Sequence, residues 1–106
     1  NIISNAVKFT EYGKITISTS LAKGLGKNQE VMITISDTGV GINQEDQAKL
    51  FNPFEQAKST ENIRAFGSGL GLAISKSLIQ LHRGRIGLLK SSPGKGSTFF
   101  IALPVN

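Results

Sequence analysis

The chain has 106 residues, which suits one domain, and its apolar fraction of 39% can fill one modest core. It contains no cysteine, which excludes disulfides, zinc thiolate sites and thiol nucleophiles, and no apolar run approaches the roughly 20 residues of a membrane helix. The formal net charge is +5, but the basic residues are scattered and not interleaved with aromatic ones, so neither nucleic-acid nor membrane contact is expected.

The chain opens inside a helical pattern, because apolar side chains of residues 2–9 recur near one face. No capping residue precedes this helix, which predicts that the domain is incomplete at its N-terminus. Gly13 is the expected stop. Alternating apolar residues over 14–21 and 31–35 then predict two half-buried strands that pair as a hairpin.

A glycine-punctuated loop, residues 37–42, follows the second strand. Asn43, with Asp46 three residues later, predicts the N-cap of a short helix that extends to about residue 50. The polar, aperiodic residues 55–66 are typical of a mobile loop.

The clearest helical pattern covers residues 70–81, and Gly84 ends it. Two further strands, 85–90 and 98–103, are joined by the turn-rich connector 91–97. The adjacent strand pairs argue against a doubly wound nucleotide fold. They predict an α+β fold, a two-layer α/β sandwich whose helices pack on one face of a mixed sheet.

The segment Gly67–Gly71 suits phosphate binding, because glycine-rich backbone can approach an anion and the following helix adds its positive N-terminus. No Gly-Lys-Ser/Thr follows, so this is not a Walker loop, and it does not complete a dinucleotide fingerprint. Alone, such a segment is often only a structural turn.

Two single residues also suit a nucleotide. Asp37, at a strand end, can accept a hydrogen bond from the exocyclic amine of adenine, whereas the guanine carbonyl at that position would repel it. Asn5 offers a neutral oxygen ligand to Mg²⁺, which it would hold only together with substrate phosphates. Taken singly, an ordinary Asp-Gly turn and a solvated helix amide are the better explanations of these two residues.

Five motifs in order change that balance: Asn-x-x-x-Asn-Ala-x-Lys-Phe, Asp-x-Gly-x-Gly-Ile, Phe-x-Pro-Phe, Gly-x-Gly-Leu-Gly-Leu and Gly-x-Gly-Ser-Thr-Phe. They resemble the N, G1, F, G2 and final glycine boxes of the sensor histidine kinase catalytic domain. The resemblance implies a Bergerat ATP-binding fold over residues 1–106, partial at the N-terminus, with an ATP lid at about 52–66. It also implies ATP and Mg²⁺ as cofactors and a cytoplasmic location.

The resemblance further implies that the γ-phosphoryl group passes to a histidine on a separate dimerisation domain of the same or a paired chain, with a response regulator downstream. It gives the catalytic roles to Asn5, as Mg²⁺ ligand, and to Lys8, which reaches a phosphate. Asp37 would bind the adenine amine. The other implied nucleotide contacts are Asn1, Phe9, Gly39, Gly41, Ile42, Arg64, Gly67, Ser68, Gly69, Leu70, Gly71, Leu72 and Thr98.

Asn1 separates this chain from the related gyrase, heat-shock chaperone and mismatch-repair ATPases, where a glutamate that activates water typically occupies the position. An amide is no general base at neutral pH, so Asn1 favours phosphoryl transfer over hydrolysis, and the isolated fragment is expected to be inactive or weakly active. The alternative left open is a truncated or degenerate nucleotide-binding module that serves regulation or partner contact without turnover. His82, the single histidine, lies at a predicted helix end and lacks the phosphoacceptor context.

Overall fold

The computed structural model describes residues 1–23, 29–52 and 71–105. None of the helices within these ranges is long and apolar enough to span a bilayer. The described elements are α1 (Ile2–Phe9), β1 (Ile15–Lys23), β2 (Gln29–Asp37), α2 (Gln44–Gln47), α3 (Gly71–Leu81), β3 (Arg85–Ser92) and β4 (Gly96–Val105). The α+β class is thereby confirmed.

The four described strands form one sheet in the order β1-β2-β4-β3. All three neighbouring pairs are antiparallel, so the prediction of a mixed sheet is wrong for these strands. The reason is the connectivity: β1–β2 and β3–β4 are both hairpins, and the hairpins join through β2 and β4, which run in opposite directions. The connection that carries α2 and α3 returns the chain to the edge beside β4.

One face of the sheet is apolar, because the register aligns apolar residues across neighbouring strands. Ile35 lies opposite Phe99, and Ile33 lies opposite Ile101. Ile2 and Ala6 of α1 and Leu72 of α3 belong to the same buried core cluster as Ile35 and Phe99. The sheet and the two longer helices therefore enclose the core as two layers.

A charged pair holds the sheet at the end remote from Asp37. Glu30, near the start of β2, is buried and accepts a hydrogen bond of 2.6 Å from Nη2 of Arg85, at the start of β3. That hydrogen bond raises the pKa of the Arg85 guanidinium, which also lies 5.9 Å from the centroid of the Phe100 ring. This ion pair reaches across β4 and links its two neighbouring strands, β2 and β3.

The edge strand β1 is less buried than its alternating pattern predicts. Ile17 and Leu21 are exposed, with relative solvent accessibilities of 52% and 65%. The main helix contacts are those of α1 with β2 and of α3 with β3, and within β1 Ile15 packs against the core cluster. An apolar cavity of about 360 Å³ opens between α1, α3 and the sheet, and Ile17 and Leu78 are among its lining residues.

Candidate functional site

Asp37 is the last residue of β2, and its side chain is buried, with 6% of the residue exposed. Its Oδ1 accepts a 2.9 Å hydrogen bond from the backbone N–H of Gly39, which closes a turn typical of an aspartate before a glycine loop. Among the described residues, no hydrogen bond is recorded to Oδ2. The buried carboxylate therefore keeps an acceptor oxygen for a ligand that donates a hydrogen bond.

The cross-strand neighbour of Asp37 in β4 is Ser97, and both residues, together with Thr98, line a cavity of about 200 Å³. Thr98 pairs instead with Ser36, and their hydroxyl oxygens lie 2.9 Å apart. Since successive side chains on a strand point to opposite faces, Ser97 shares the face of Asp37 and Thr98 takes the other. The family resemblance names Thr98, whose contact with the base stays a prediction; Ser97 was not singled out, although it lines the same cavity.

The loop after Asp37 is fastened to the β3–β4 hairpin. The N–H of Gly94 donates to the carbonyl of Val40 at 2.7 Å, and the N–H of Ile42 donates to Oγ of Ser91 at 2.8 Å. Gly41 adopts φ +73, and a Cβ there would overlap the carbonyl oxygen of Ser92. In this structure Gly41 allows the close approach of two protein backbones, and its predicted contact with the nucleotide stays a prediction.

Two of the predicted nucleotide contacts are core residues. Ile42 is 1% exposed and Leu72 is 4% exposed, and both belong to the cluster that contains Ile35 and Phe99. Phe9 is also buried, at the end of α1. The predicted contacts of these three residues with the nucleotide stay predictions.

A polar stripe runs along α1 beside its buried face. Asn1, Asn5 and Lys8 follow one another at helical spacing, so their side chains lie on one side of the helix. Asn5 is half-buried, whereas Asn1 and Lys8 are exposed. Asn5 and Lys8 offer one amide and one ammonium group to a common surface, which suits a polyanion.

The start of α3 meets this stripe through Asn1. Its Nδ2 donates to the carbonyl oxygen of Gly71 at 3.0 Å and to Oγ of Ser75 at 2.9 Å. Gly71 was predicted as a nucleotide contact, but Ser75 was not singled out. The remaining predicted contacts, with all of the predicted lid except Asn52, lie outside the described residues: Arg64, Gly67, Ser68, Gly69 and Leu70.

The described ranges contain no group of three or more His, Cys, Asp or Glu side chains able to hold a metal ion. A hard cation near α1 would therefore take most of its ligands from bound phosphates and water, with the Asn5 amide oxygen as a protein ligand. Mg²⁺ is commonly bound in this way at nucleotide sites, so the donor set fits that ion.

The family model for histidine kinase-, DNA gyrase B-, and HSP90-like ATPases matches residues 1–106. The autoinducer 2 sensor kinase/phosphatase LuxQ of Vibrio vulnificus (strain CMCP6) is 43% identical over 106 residues, which are 99% of this chain and 12% of that protein. The sensor protein GacS of Pseudomonas syringae pv. syringae is 41% identical over 103 residues, 97% of this chain and 11% of that protein.

Among solved structures, full-length ShkA in complex with AMPPNP has a TM-score of 0.71 and 31% identity. The match covers 94% of this chain and 19% of ShkA. The chain thus spans only about 12% of the length of the LuxQ relative.

Proposed function

This chain belongs to the family of histidine kinase-, DNA gyrase B- and HSP90-like ATPases, as the ATP-binding domain found in sensor histidine kinases, and on that premise we propose its reaction. It binds ATP with Mg²⁺ and donates the γ-phosphoryl group to a histidine on a separate dimerisation domain of a two-component sensor kinase. A response regulator then receives the phosphoryl group. The observation that carries this proposal is the contact of Asn1 with Gly71, which brings the polar stripe of α1 to the end of the glycine segment.

The base of the nucleotide belongs beside Asp37. The free Oδ2 accepts a hydrogen bond from the exocyclic amine of adenine, while Oδ1 stays with Gly39. Guanine carries a carbonyl at the same ring position, so it would leave the buried carboxylate unpaired. The site should therefore prefer ATP to GTP.

The phosphates belong along the polar stripe and the start of α3. Lys8 places a positive charge there, and Asn5 offers an oxygen to the cation. Bound Mg²⁺ would neutralise phosphate charge during transfer. Asn1 has no carboxylate with which to activate water, which favours transfer to a protein nucleophile over hydrolysis.

The histidine that accepts the phosphoryl group has to come from outside this domain, because His82 lies far from the proposed phosphate site. It follows α3 directly, whereas Gly71 begins that helix, and 11 helical residues span about 16 Å. His82 thus lies at the opposite end of α3 from the proposed phosphates. This supports a dimerisation domain, in the same or a paired chain, as the source of the phosphorylated histidine.

The role of Asn5 gives the test of this function. We expect Asn5→Ala to lower phosphotransfer by about a hundredfold or more, and to leave Mg²⁺-free ATP affinity within about threefold, because the variant loses only a metal ligand. The measurements are ATP titrations with Mg²⁺ and with EDTA, and phosphotransfer to a dimerisation domain supplied in trans. Val7→Ala, on the exposed opposite side of α1, is the matched control.

Two results would contradict the proposal at different points. If the wild-type chain binds no ATP in the presence of Mg²⁺, the proposed function is wrong. If Asn5→Ala transfers the phosphoryl group as well as the wild type, only the proposed metal-binding role of Asn5 is wrong.

Ser97 and Thr98 provide a second prediction. Because Ser97 lies on the Asp37 side of β4, we expect Ser97→Ala to weaken ATP binding by about fivefold to tenfold. Thr98→Val, which keeps the shape of a side chain that faces Ser36, should change affinity by less than about twofold. Competition titrations with both variants check this order, and a larger effect from Thr98 would reverse the assignment.

A further inference from the structure

The hydroxyl of Ser91, near the end of β3, has three hydrogen-bond partners in the wall of the cavity beside Asp37. It accepts from the backbone N–H of Ile42 at 2.8 Å, and its Oγ lies 3.2 Å from the carbonyl oxygen of Gly96. The third partner is Oγ of Ser97, 2.8 Å away. Both serines line, together with Asp37, the cavity of about 200 Å³. The Ser91 hydroxyl therefore connects the loop after Asp37 to the strand that lies opposite it.

The direction of the hydrogen bond between the two hydroxyls follows from a count of hydrogens and acceptors. If Ser91 donates to Ser97, the Ser97 hydroxyl hydrogen has no acceptor among the described residues, and a buried polar hydrogen without an acceptor is costly. If Ser97 donates instead, its hydrogen and the Ile42 N–H fill the two lone pairs of Ser91 Oγ. The Ser91 hydrogen then goes to the Gly96 carbonyl, so each polar hydrogen of the group has an acceptor.

With this direction, Asp37 and Ser97 present only acceptors to the cavity. The hydrogen of Ser97 is turned to Ser91, which leaves lone pairs of Ser97 Oγ for a ligand, and Asp37 keeps its Oδ2. Both residues are more than nine-tenths buried, so neither gains much from bulk water. A primary amine on an aromatic ring has two hydrogens, which suit two acceptors, whereas a carbonyl oxygen has none.

We propose that Ser91 is a positioning residue for base recognition, which holds the Ser97 hydroxyl as an acceptor so that the cavity selects a base with a primary amine. One amine hydrogen goes to Oδ2 of Asp37, and the other goes to Oγ of Ser97. This inference rests on the proposed function, which places the base beside Asp37. It assigns a role to a residue that belongs to none of the five sequence motifs.

A purely structural role of Ser91 predicts a different result. The hydrogen bond from Ile42 to Ser91 fastens the loop, and Gln47 supports the same contact, because its Nε2 donates to the Ile42 carbonyl at 2.7 Å. If Ser91 only fastened the loop, its loss would weaken the binding of every nucleotide by the same factor. A role through Ser97 changes the ratio of affinities for amino and oxo bases. A partly unfolded sample does not alter that ratio, because the unfolded fraction binds neither base.

The test is a double-mutant cycle in the purified chain, with ATP and inosine triphosphate (ITP) as probes, since ITP carries a carbonyl where ATP carries the amine. We expect the wild type to prefer ATP. Ser91→Ala and Ser97→Ala should each reduce that preference by about fivefold to tenfold, the value of one hydrogen bond. The double variant should lose little more than either single variant, because Ser91 acts through Ser97. Titrations with each nucleotide give the affinities.

Two further variants serve as a rescue and a control. Ser91→Thr keeps a hydroxyl at the same place in a strand, where threonine is well tolerated, so it should retain most of the wild-type preference. Ser77→Ala removes an exposed hydroxyl from α3 and should leave both affinities unchanged.

The inference is overturned if Ser91→Ala weakens ATP and ITP binding by the same factor, or if the two single losses multiply in the double variant. It is also overturned if Ser91→Thr behaves like Ser91→Ala. A wild-type chain that binds ATP and ITP equally contradicts this inference and leaves the proposed function standing. If the wild-type chain binds neither nucleotide, the proposed function and this inference are both wrong.

Discussion

Asp37→Asn is expected to weaken ATP binding by about a hundredfold while the fold remains intact. The carboxylate is buried, and its free oxygen is the acceptor proposed for the adenine amine. If the substituted amide keeps its oxygen toward Gly39, it turns its NH₂ group toward the adenine amine, so two donors face each other. A lost hydrogen bond to a charged group costs about 2–3 kcal/mol, which corresponds to that change in affinity.

The measurement is a pair of titrations, with ATP and with GTP, on wild type and variant. ATP affinity should fall much further than GTP affinity, so the preference between the two nucleotides should narrow. Glu45→Gln, which removes a negative charge from the exposed surface of α2, controls for the change in net charge. ATP binding equal to that of the wild type would show that the base lies elsewhere.

Gly41→Ala is expected to lower the free energy of unfolding by about 3 kcal/mol or more. Its backbone has φ +73, and the new Cβ would overlap the carbonyl oxygen of Ser92, which belongs to the backbone of β3 and cannot rotate away. The hairpin and the loop would have to separate, which would break the hydrogen bond between Gly94 and Val40. Strain and a lost contact therefore act together.

Gly94→Ala is the matched control for this prediction. Gly94 lies in the same hairpin contact and also has a positive φ, +78, but no atom lies within 4 Å of the place of its Cβ. Only the backbone conformation is penalised there, at a cost of about 1 kcal/mol. Urea unfolding of both variants gives the comparison, and equal losses would show that the overlap at Gly41 is relieved without cost.

Local patterns were enough to predict most elements of this fold. The alternation around Ile33 and Ile35 predicts β2, and the Asn43 side chain does accept the N–H of Asp46, as the capping pattern predicts. The direction of the strands could not be predicted in the same way. It depends on which edge the chain rejoins after α3, and no local pattern encodes that choice.

Only those candidate site residues that belong to a recognised motif could be predicted from the sequence. The five motifs singled out Asp37 and Asn5 together with the glycines, whereas Ser75 lies 74 residues from the side chain that bonds it. The motifs name Thr98 and not its neighbour Ser97, and only the register of β4 against β2 shows that Ser97 lies opposite Asp37. The burial of Ile42 follows from tertiary packing, which its motif does not encode, and its contact with the nucleotide stays a prediction.

The edge strand β1, whose Ile17 and Leu21 are exposed, affects how the chain behaves in concentrated solution. Within the described part of the chain its outer edge pairs with no strand, and its sequence from Ile15 to Ala22 contains neither a charge nor a proline. Lys14 and Lys23 flank it, and charges at such places oppose stacking between molecules. Solubility therefore depends on repulsion among molecules of net charge +5, and added salt, which screens that repulsion, should promote self-association.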